Sequence, residues 1–351
     1  MKLRPLALLL LAGACTSAPE PTGTAASAIV KGTESGAESD STVLVMHYDA
    51  LAKGGGAASG CTGSLLAPRL VLTARHCVAN TDEGAACDST GKPISGGGVD
   101  SDFEPSKVYV FGGRERPDFL AGTAKPIRGV ELLTTGATTI CNNDIALIVL
   151  ERDVPDAVIT PIRLEGGPNE NEIVTVVGWG ISETQNDPPK RLERSGVKIL
   201  EVGPADGLSP TEFRTSEGTC AGDSGGPAVA GTGAVIGALS RGGNGKKGAG
   251  AGGCVDDGAT NIATNIFTSI AGHRDFIRSG YAKVGQEPWI EGQPSPLETS
   301  APPATSAPPP APEDEGCNVA RSVHGSPAFI VAVLLLCRRR RNPARSRVRH
   351  W

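Results

Sequence analysis

Aromatic residues are scarce in this chain, with seven Phe, three Trp and three Tyr among 351 residues. Apolar residues at helical spacing form few runs. Glycine (47) and proline (27) are plentiful instead. That balance disfavours a helical bundle and favours an all-β domain with many turns. Long apolar stretches are lacking too: "PAFIVAVLLLC" (327–337) holds about eleven apolar residues, where a stable span needs about 20. Basic charge is not in excess. The net charge is −5, and without the ten basic residues of the two ends it moves to near −15. Such an acidic body argues against nucleic acid as a partner. No Cys/His spacing suggests zinc. "RGGNGKKGAGAGG" (241–253) has a Gly-Lys pair, but no Ser or Thr follows, so it is no phosphate loop. The acidic, Gly-rich insertion 82–105 is read as surface loop, with calcium as the lesser alternative. No cofactor is expected.

What is present divides the chain into five parts. Residues 1–14, "MKLRPLALLLLAGA", have a basic start, an apolar run and a small-residue end, the pattern of a secretory signal. Residues 15–28 form a short pro-segment headed by Cys15. "LLAGAC" resembles a bacterial lipoprotein box with Cys15 lipidated; the alternative is ordinary signal cleavage, nearby or at "ASA" before Ile29. Residues 29–281 are the folded domain. Residues 282–316 are rich in Pro, Ala, Ser and Glu and read as an extended stalk. Residues 317–351 begin at Cys317 and continue through the short apolar run, with Cys337, to the arginine cluster 338–341. This resembles a myxobacterial C-terminal sorting signal; the alternative is a plain tail anchor. Each reading places the domain outside the cytoplasm, at the outer membrane or cell surface or secreted, where disulfides persist.

Three stretches of the domain carry chemistry. "CTGSLLAPRLVLTARHCVAN" (61–80) sets His76 beside Cys77 after two strand-like runs. "CNNDIALIVLERDV" (141–154) puts Asp144 at the head of an apolar, strand-like run. "EGTCAGDSGGPAVAG" (217–231) places Ser224 among turn residues. Taken singly, each has a plain reading: a structural histidine, a turn-capping aspartate, a surface turn. Taken in the order His, Asp, Ser with these flanks, they point to nucleophilic catalysis. A serine hydroxyl needs a base to take its proton, and histidine titrates near neutrality.

In "LTARHC", "NNDIALIVL" and "GDSGGP" the sequence resembles the trypsin/chymotrypsin-like serine proteases. Weaker matches are "IVKGTES" (29–35), "VVGWG" (176–180) and "NIFTSIAGHRDFI" (265–277), so the resemblance spans about residues 29–281. It implies two six-stranded antiparallel β-barrels with a C-terminal helix, and a cleft between the barrels. It implies His76 as general base, Asp144 as its orienting partner and Ser224 as nucleophile, with the N–H groups of Gly222 and Ser224 as oxyanion hole. The glycines after Ser224 are expected to clear space for substrate. It also implies a zymogen cut before Ile29, whose new ammonium pairs with Asp223. Lys31 stands where the family often has glycine, and Ala28 before the cut makes a trypsin-like activator unsuitable. Bridges Cys61–Cys77 and Cys220–Cys254 are implied. Cys87 and Cys141 remain, and a third bridge between them is the expectation, though six cysteines allow fifteen pairings.

For specificity, the resemblance puts Gly218 at the pocket floor, with Ser240 and Gly242 on the pocket side. A floor without charge favours apolar residues before the scissile bond. A one-residue shift would bring in Glu217 and favour basic ones. Arg75, beside His76, would oppose imidazolium formation if it turned inward. The expected partners are a protein or peptide substrate and a membrane reached through lipid or the C-terminal anchor, the domain being a monomer. The alternative is a noncatalytic surface binding or adhesion protein on the same scaffold.

Overall fold

The computed structural model describes residues 29–50, 57–118, 124–181, 188–246, 250–258 and 260–299. The signal, Cys15, Cys317 and Cys337 lie outside the described residues.

Twelve strands build two barrels. The first comprises β1 (Thr42–Asp49), β2 (Ala57–Ala67), β3 (Leu70–Thr73), β4 (Val108–Phe111), β5 (Ile127–Thr134) and β6 (Ala146–Leu150). The second comprises β7 (Ile173–Gly178), β8 (Leu192–Val202), β9 (Glu212–Ser216), β10 (Pro227–Ala230), β11 (Val235–Gly243) and β12 (Thr264–Ser269). Each closes antiparallel in the same cyclic order, 1-2-3-6-5-4 and 7-8-9-12-11-10. A short strand, Thr33–Glu34, pairs alongside β8.

The apolar runs noted in the sequence are buried on both faces, and period two separates those faces. On β3 and β6, Val71, Ile148 and Leu150 point into the first barrel. Leu70, Leu72, Leu147 and Val149 point the other way. There they meet Ile277 and Tyr281 of helix α1 (Arg274–Lys283) and Val235 and Ala238 of β11. The helix approaches so closely that a Cβ on Gly280 would lie 2.2 Å from a Leu147 methyl. The helix and the second barrel therefore explain why these strands do not alternate with polar residues.

The domain edge expected at 281 lies further along. Residues 282–293 are held on the body: Ile162 N–H donates to Trp289 O at 2.9 Å, and Arg163 binds Glu291 at 2.6 Å and Glu172 at 2.8 Å. Ile290 packs on the core shared by α1 and β6. The stalk-like composition begins before the folded contacts end.

One polar residue anchors the chain's entry. Arg191 is fully buried. Its guanidinium donates to Ser35 Oγ (2.8 Å), Thr42 O (2.9 Å), Gly36 O (3.1 Å) and Asp40 (2.9 Å). Every contact ties β8 to residues 35–42, the segment leading into the first barrel. Arg191→Leu would strip this donor from all four acceptors, although Asp40 keeps Arg114 and Gly36 O keeps Ser39 N–H. The expected loss is about 2–3 kcal/mol, read as a lower denaturant midpoint with an unchanged slope; an unaltered midpoint would contradict this account.

Candidate active site

His76 lies in a single 3-10 turn, Arg75–Cys77, immediately after β3. Cys77 is bonded to Cys61 on β2, with Cα atoms 6.0 Å apart, which fixes the turn to the first barrel. Asp144 is fully buried just before β6. Its Oδ1 accepts the His76 backbone N–H at 3.0 Å, and its Oδ2 accepts His76 Nδ1–H at 2.8 Å. Ser240 Oγ, from β11, donates to the same Oδ2 at 2.6 Å. The buried charge is thus satisfied from both barrels. Ser240, expected to serve substrate binding, turns its hydroxyl to Asp144.

Burial disfavours both charges, but each answers the other. Burial lowers the affinity of His76 for a proton, yet the Asp144 charge and hydrogen bond outweigh it and hold the imidazole above its ordinary value. Burial raises Asp144, while the charge and bonds from His76 and the Ser240 hydroxyl bring it below the usual carboxylate range. With Nδ1 carrying its proton toward Asp144, Nε2 is the free base.

Ser224 is half-buried, and its backbone lies against Cys77, the residue after His76. Its carbonyl accepts Thr62 N–H at 2.8 Å and lies 3.5 Å from Cys77 Sγ. Its hydroxyl makes no hydrogen bond among the described residues. The neighbouring backbone is distinctive. Gly222 has φ +95°, and neither its N–H nor that of Ser224 donates to any described residue. Two adjacent, unused donors beside a half-buried hydroxyl can receive an oxyanion.

The glycines of this loop are needed for contact with the protein itself. A Cβ on Gly225 would lie 2.1 Å from Thr73 Oγ1 and one on Gly226 2.7 Å from Asp223 O. The space they leave is filled by the first barrel and the loop, which corrects the expectation that it is kept for substrate. Asp223 is buried beneath the loop and accepts from the N–H groups of Gly180 (2.8 Å) and Cys220 (2.9 Å). Burial pushes it up to about 7; those bonds and the charge of Arg116 offset this only in part. Ile29 is fully buried in the second-barrel core. Lys31 adopts φ +56°, where glycine is most at ease, and its ammonium reaches Glu217 at 2.6 Å.

The pocket residues are distributed unevenly. Gly218 is buried, and a Cβ on it would meet Val197 at 3.0 Å and Val176 at 3.3 Å, in the barrel core. Glu217 is occupied: Lys31, Arg194 (3.0 Å) and Asp256 N–H (2.6 Å) hold its carboxylate. Gly242 pairs with Asn265 across β11 and β12. Asn265 was missed in the sequence reading. It is buried, its Oδ1 accepts Thr219 Oγ1–H at 2.7 Å, and a Cβ on Gly242 would lie 2.5 Å from that Oδ1. A polar residue sharing the buried face of a strand with Phe267 was the available signal. The bridges Cys220–Cys254 and Cys87–Cys141 are both formed, with Cα atoms 5.3 and 5.5 Å apart.

Arg75 does turn inward, but toward Asp102, at 2.7 Å. Its Nε and Nη1 have no hydrogen-bond partner, and the upward shift of His76 persists beside it. Cys61, His76 and Cys77 lie close enough to suggest a metal. The two sulfurs are joined in a disulfide and offer no thiolate, so the trio is no metal site. In the insertion 82–105, Asp102 serves Arg75 and Asp88 holds its own turn through Thr90 and Lys92.

The family model described as Trypsin matches residues 29–257. This chain belongs to the trypsin family. It is 28% identical to human "Chymotrypsin-like elastase family member 3A" over 210 residues, covering 57% of this chain and 68% of that protein. It is 27% identical to human "Chymotrypsin-like elastase family member 3B" over 242 residues, 65% of this chain and 82% of that one. Among solved structures, a mutant of human heparin binding protein (CAP37) superposes with a TM-score of 0.50 at 19% identity. That alignment covers 74% of this chain and all of the other; it shows the shared two-barrel fold. Membership in the family supports a hydrolase acting on protein or peptide substrates, and with the three disulfides it points to an exported protein. Among the described residues no helix is long and apolar enough to cross a membrane.

The electrostatics of the His76–Asp144 pair can be read directly. In a proton NMR titration the His76 Nδ1–H signal should shift with a midpoint above the ordinary 6.5. A midpoint at or below that value would mean that burial outweighs Asp144.

Proposed function

We propose that this protein is a serine endopeptidase working through an acyl-enzyme. The observation that carries the reading is the pair of unused N–H donors at Gly222 and Ser224, beside a histidine held by a buried aspartate. In the proposed reaction His76 Nε2 takes the Ser224 proton as Oγ attacks the scissile carbonyl. Asp144 stabilises the imidazolium, and the two N–H groups receive the oxyanion. The imidazolium then protonates the leaving amine. Water, deprotonated by His76, releases the acyl group and restores the hydroxyl.

Maturation is proposed to occur by cleavage before Ile29. Buried Asp223 has two N–H partners and a pKa pushed up to about 7; a freed ammonium at Ile29 would supply the missing counter-charge. Before that cut the protein is proposed to be held at the membrane by lipid on Cys15; the mature form, which has lost Cys15, is proposed to act at the cell surface, held by the C-terminal segment. Fluorophosphonate should label the wild type, and the labelled form should begin at Ile29 by N-terminal sequencing. Ser224→Ala and His76→Ala should abolish labelling and peptide hydrolysis; Ser224→Ala should keep the wild-type melting temperature, whereas His76→Ala, which takes the side-chain donor from buried Asp144, should lower it. A Ser224→Ala protein with wild-type hydrolysis would refute the mechanism, and an absence of label on the Ile29 form would favour a noncatalytic binding role.

Small apolar residues are proposed before the scissile bond. Glu217 is already neutralised by Lys31 and Arg194, so its carboxylate does not await a basic side chain. Asn265, bound to Thr219 and abutting Gly242, would shorten the pocket. The names of the two elastase relatives agree with this preference. In a panel of chromogenic peptides, Ala and Val substrates should lead Arg and Lys by tenfold or more in kcat/KM, about 1.4 kcal/mol. A lead for Arg or Lys would overturn the assignment.

A further inference from the structure

The oxyanion-loop conformation depends on three consecutive peptide planes. A peptide is planar and trans, so fixing its C=O also fixes the opposite direction of the following N–H. Ala221 O accepts Ile181 N–H at 2.7 Å, which turns the Gly222 N–H away from Ile181. Asp223 O accepts Gly226 N–H at 2.8 Å, which sets the Ser224 N–H. Between them, Gly222 O accepts Thr62 Oγ1–H at 3.0 Å. The first two locks are backbone bonds within the second half of the chain. The middle plane is held at its N–H end by Cys220 O, which accepts Asp223 N–H at 3.1 Å, and at its carbonyl end by a side chain of the first barrel.

Thr62 is built for this contact. It is fully buried on β2. Its hydroxyl has one hydrogen, given to Gly222 O, and it accepts Trp179 N–H at 3.1 Å. Its own N–H donates to Ser224 O at 2.8 Å, and its carbonyl is held by Thr73 Oγ1 at 2.9 Å. One residue therefore touches the loop on both sides of Asp223. The lock matters because Gly222, at φ +95° and without a Cβ, is the loop's most permissive point. A rotated peptide there would aim a carbonyl where the N–H groups should face.

We infer that Thr62 is a positioning residue that holds the Gly222 and Ser224 N–H groups in their oxyanion-receiving orientation. This rests on the endopeptidase reading above. It acts through the loop, touches no substrate, and should affect the transition state more than the bound ground state.

The test uses Thr62→Val, Thr62→Ala and Thr62→Ser in the mature protein, with melting temperatures as a check on folding. Two probes are used: an apolar peptide nitroanilide, and a peptide aldehyde whose tetrahedral adduct needs the oxyanion hole. Thr62→Val should lower kcat by about tenfold or more and leave KM within about twofold. The aldehyde inhibition constant should rise by a similar factor. Thr62→Ala should fall in the same direction, and Thr62→Ser, which keeps the hydroxyl, should stay within about threefold of wild type. A Thr62→Val kcat within twofold of wild type would overturn the inference. So would a Thr62→Ser protein as impaired as Thr62→Val, because packing of the methyl would then be the cause. If neither Val nor Ala folds, the hydroxyl serves the core and the inference also fails. A wild type inert to both probes would instead overturn the endopeptidase reading itself.

Discussion

A carboxylate with no exposure to water must be met by donors or it destabilises the fold by several kcal/mol. Asp144 is such a group, and the seam between the barrels is arranged around it. His76 supplies two donors from the first barrel and Ser240 one from the second. The loop that carries Asp144 is gripped from the second barrel as well. Thr211 N–H reaches Asn142 Oδ1 at 2.7 Å, and a His273 ring nitrogen lies 3.0 Å from Asn142 O. Asn142 takes φ +63°, a conformation asparagine tolerates better than most residues. The Cys87–Cys141 bridge holds the other flank. The first barrel gives one donor to each carboxylate oxygen and the second adds a third, so the His76–Asp144 geometry is tied to how the barrels meet.

The same seam shapes the loop around Ser224. Gly225 and Gly226 let it lie against Thr62, Thr73 and the backbone of Val177. Gly180 makes room for Asp223, whose carboxyl carbon would lie 2.6 Å from an added Cβ. The Gly-rich motif is thus a record of close approach between backbones. Its consequence for chemistry is indirect: a loop pressed against a rigid barrel has few ways to turn its N–H groups.

The parts of this arrangement legible from sequence were those with fixed local spacing. "LTARHC", "NNDIALIVL" and "GDSGGP" named the three side chains in order, and the two-barrel fold followed from the resemblance. Residues that act across the seam were not legible. Thr62 and Asn265 are ordinary polar residues in apolar strands, and only the register of β2 and β12 shows what they face. Arg191 carries no motif in the sequence, and only the fold shows it buried under four acceptors. The domain edge at 281 was set by composition, and composition does not reveal that Glu291 is held by Arg163. Gly218 was read as a pocket floor without charge, and the sequence does not show that a Cβ there would meet Val197 at 3.0 Å.

The central claim is that Asp144 keeps the Nδ1 proton of His76 in place so that Nε2 is the base. Asp144→Asn tests it most directly, because the amide nearly preserves shape while removing the charge and favouring the wrong tautomer. The account predicts a fall in kcat of about 10⁴-fold at neutral pH, with the melting temperature close to that of the wild type. A variant within tenfold of wild-type kcat would contradict it.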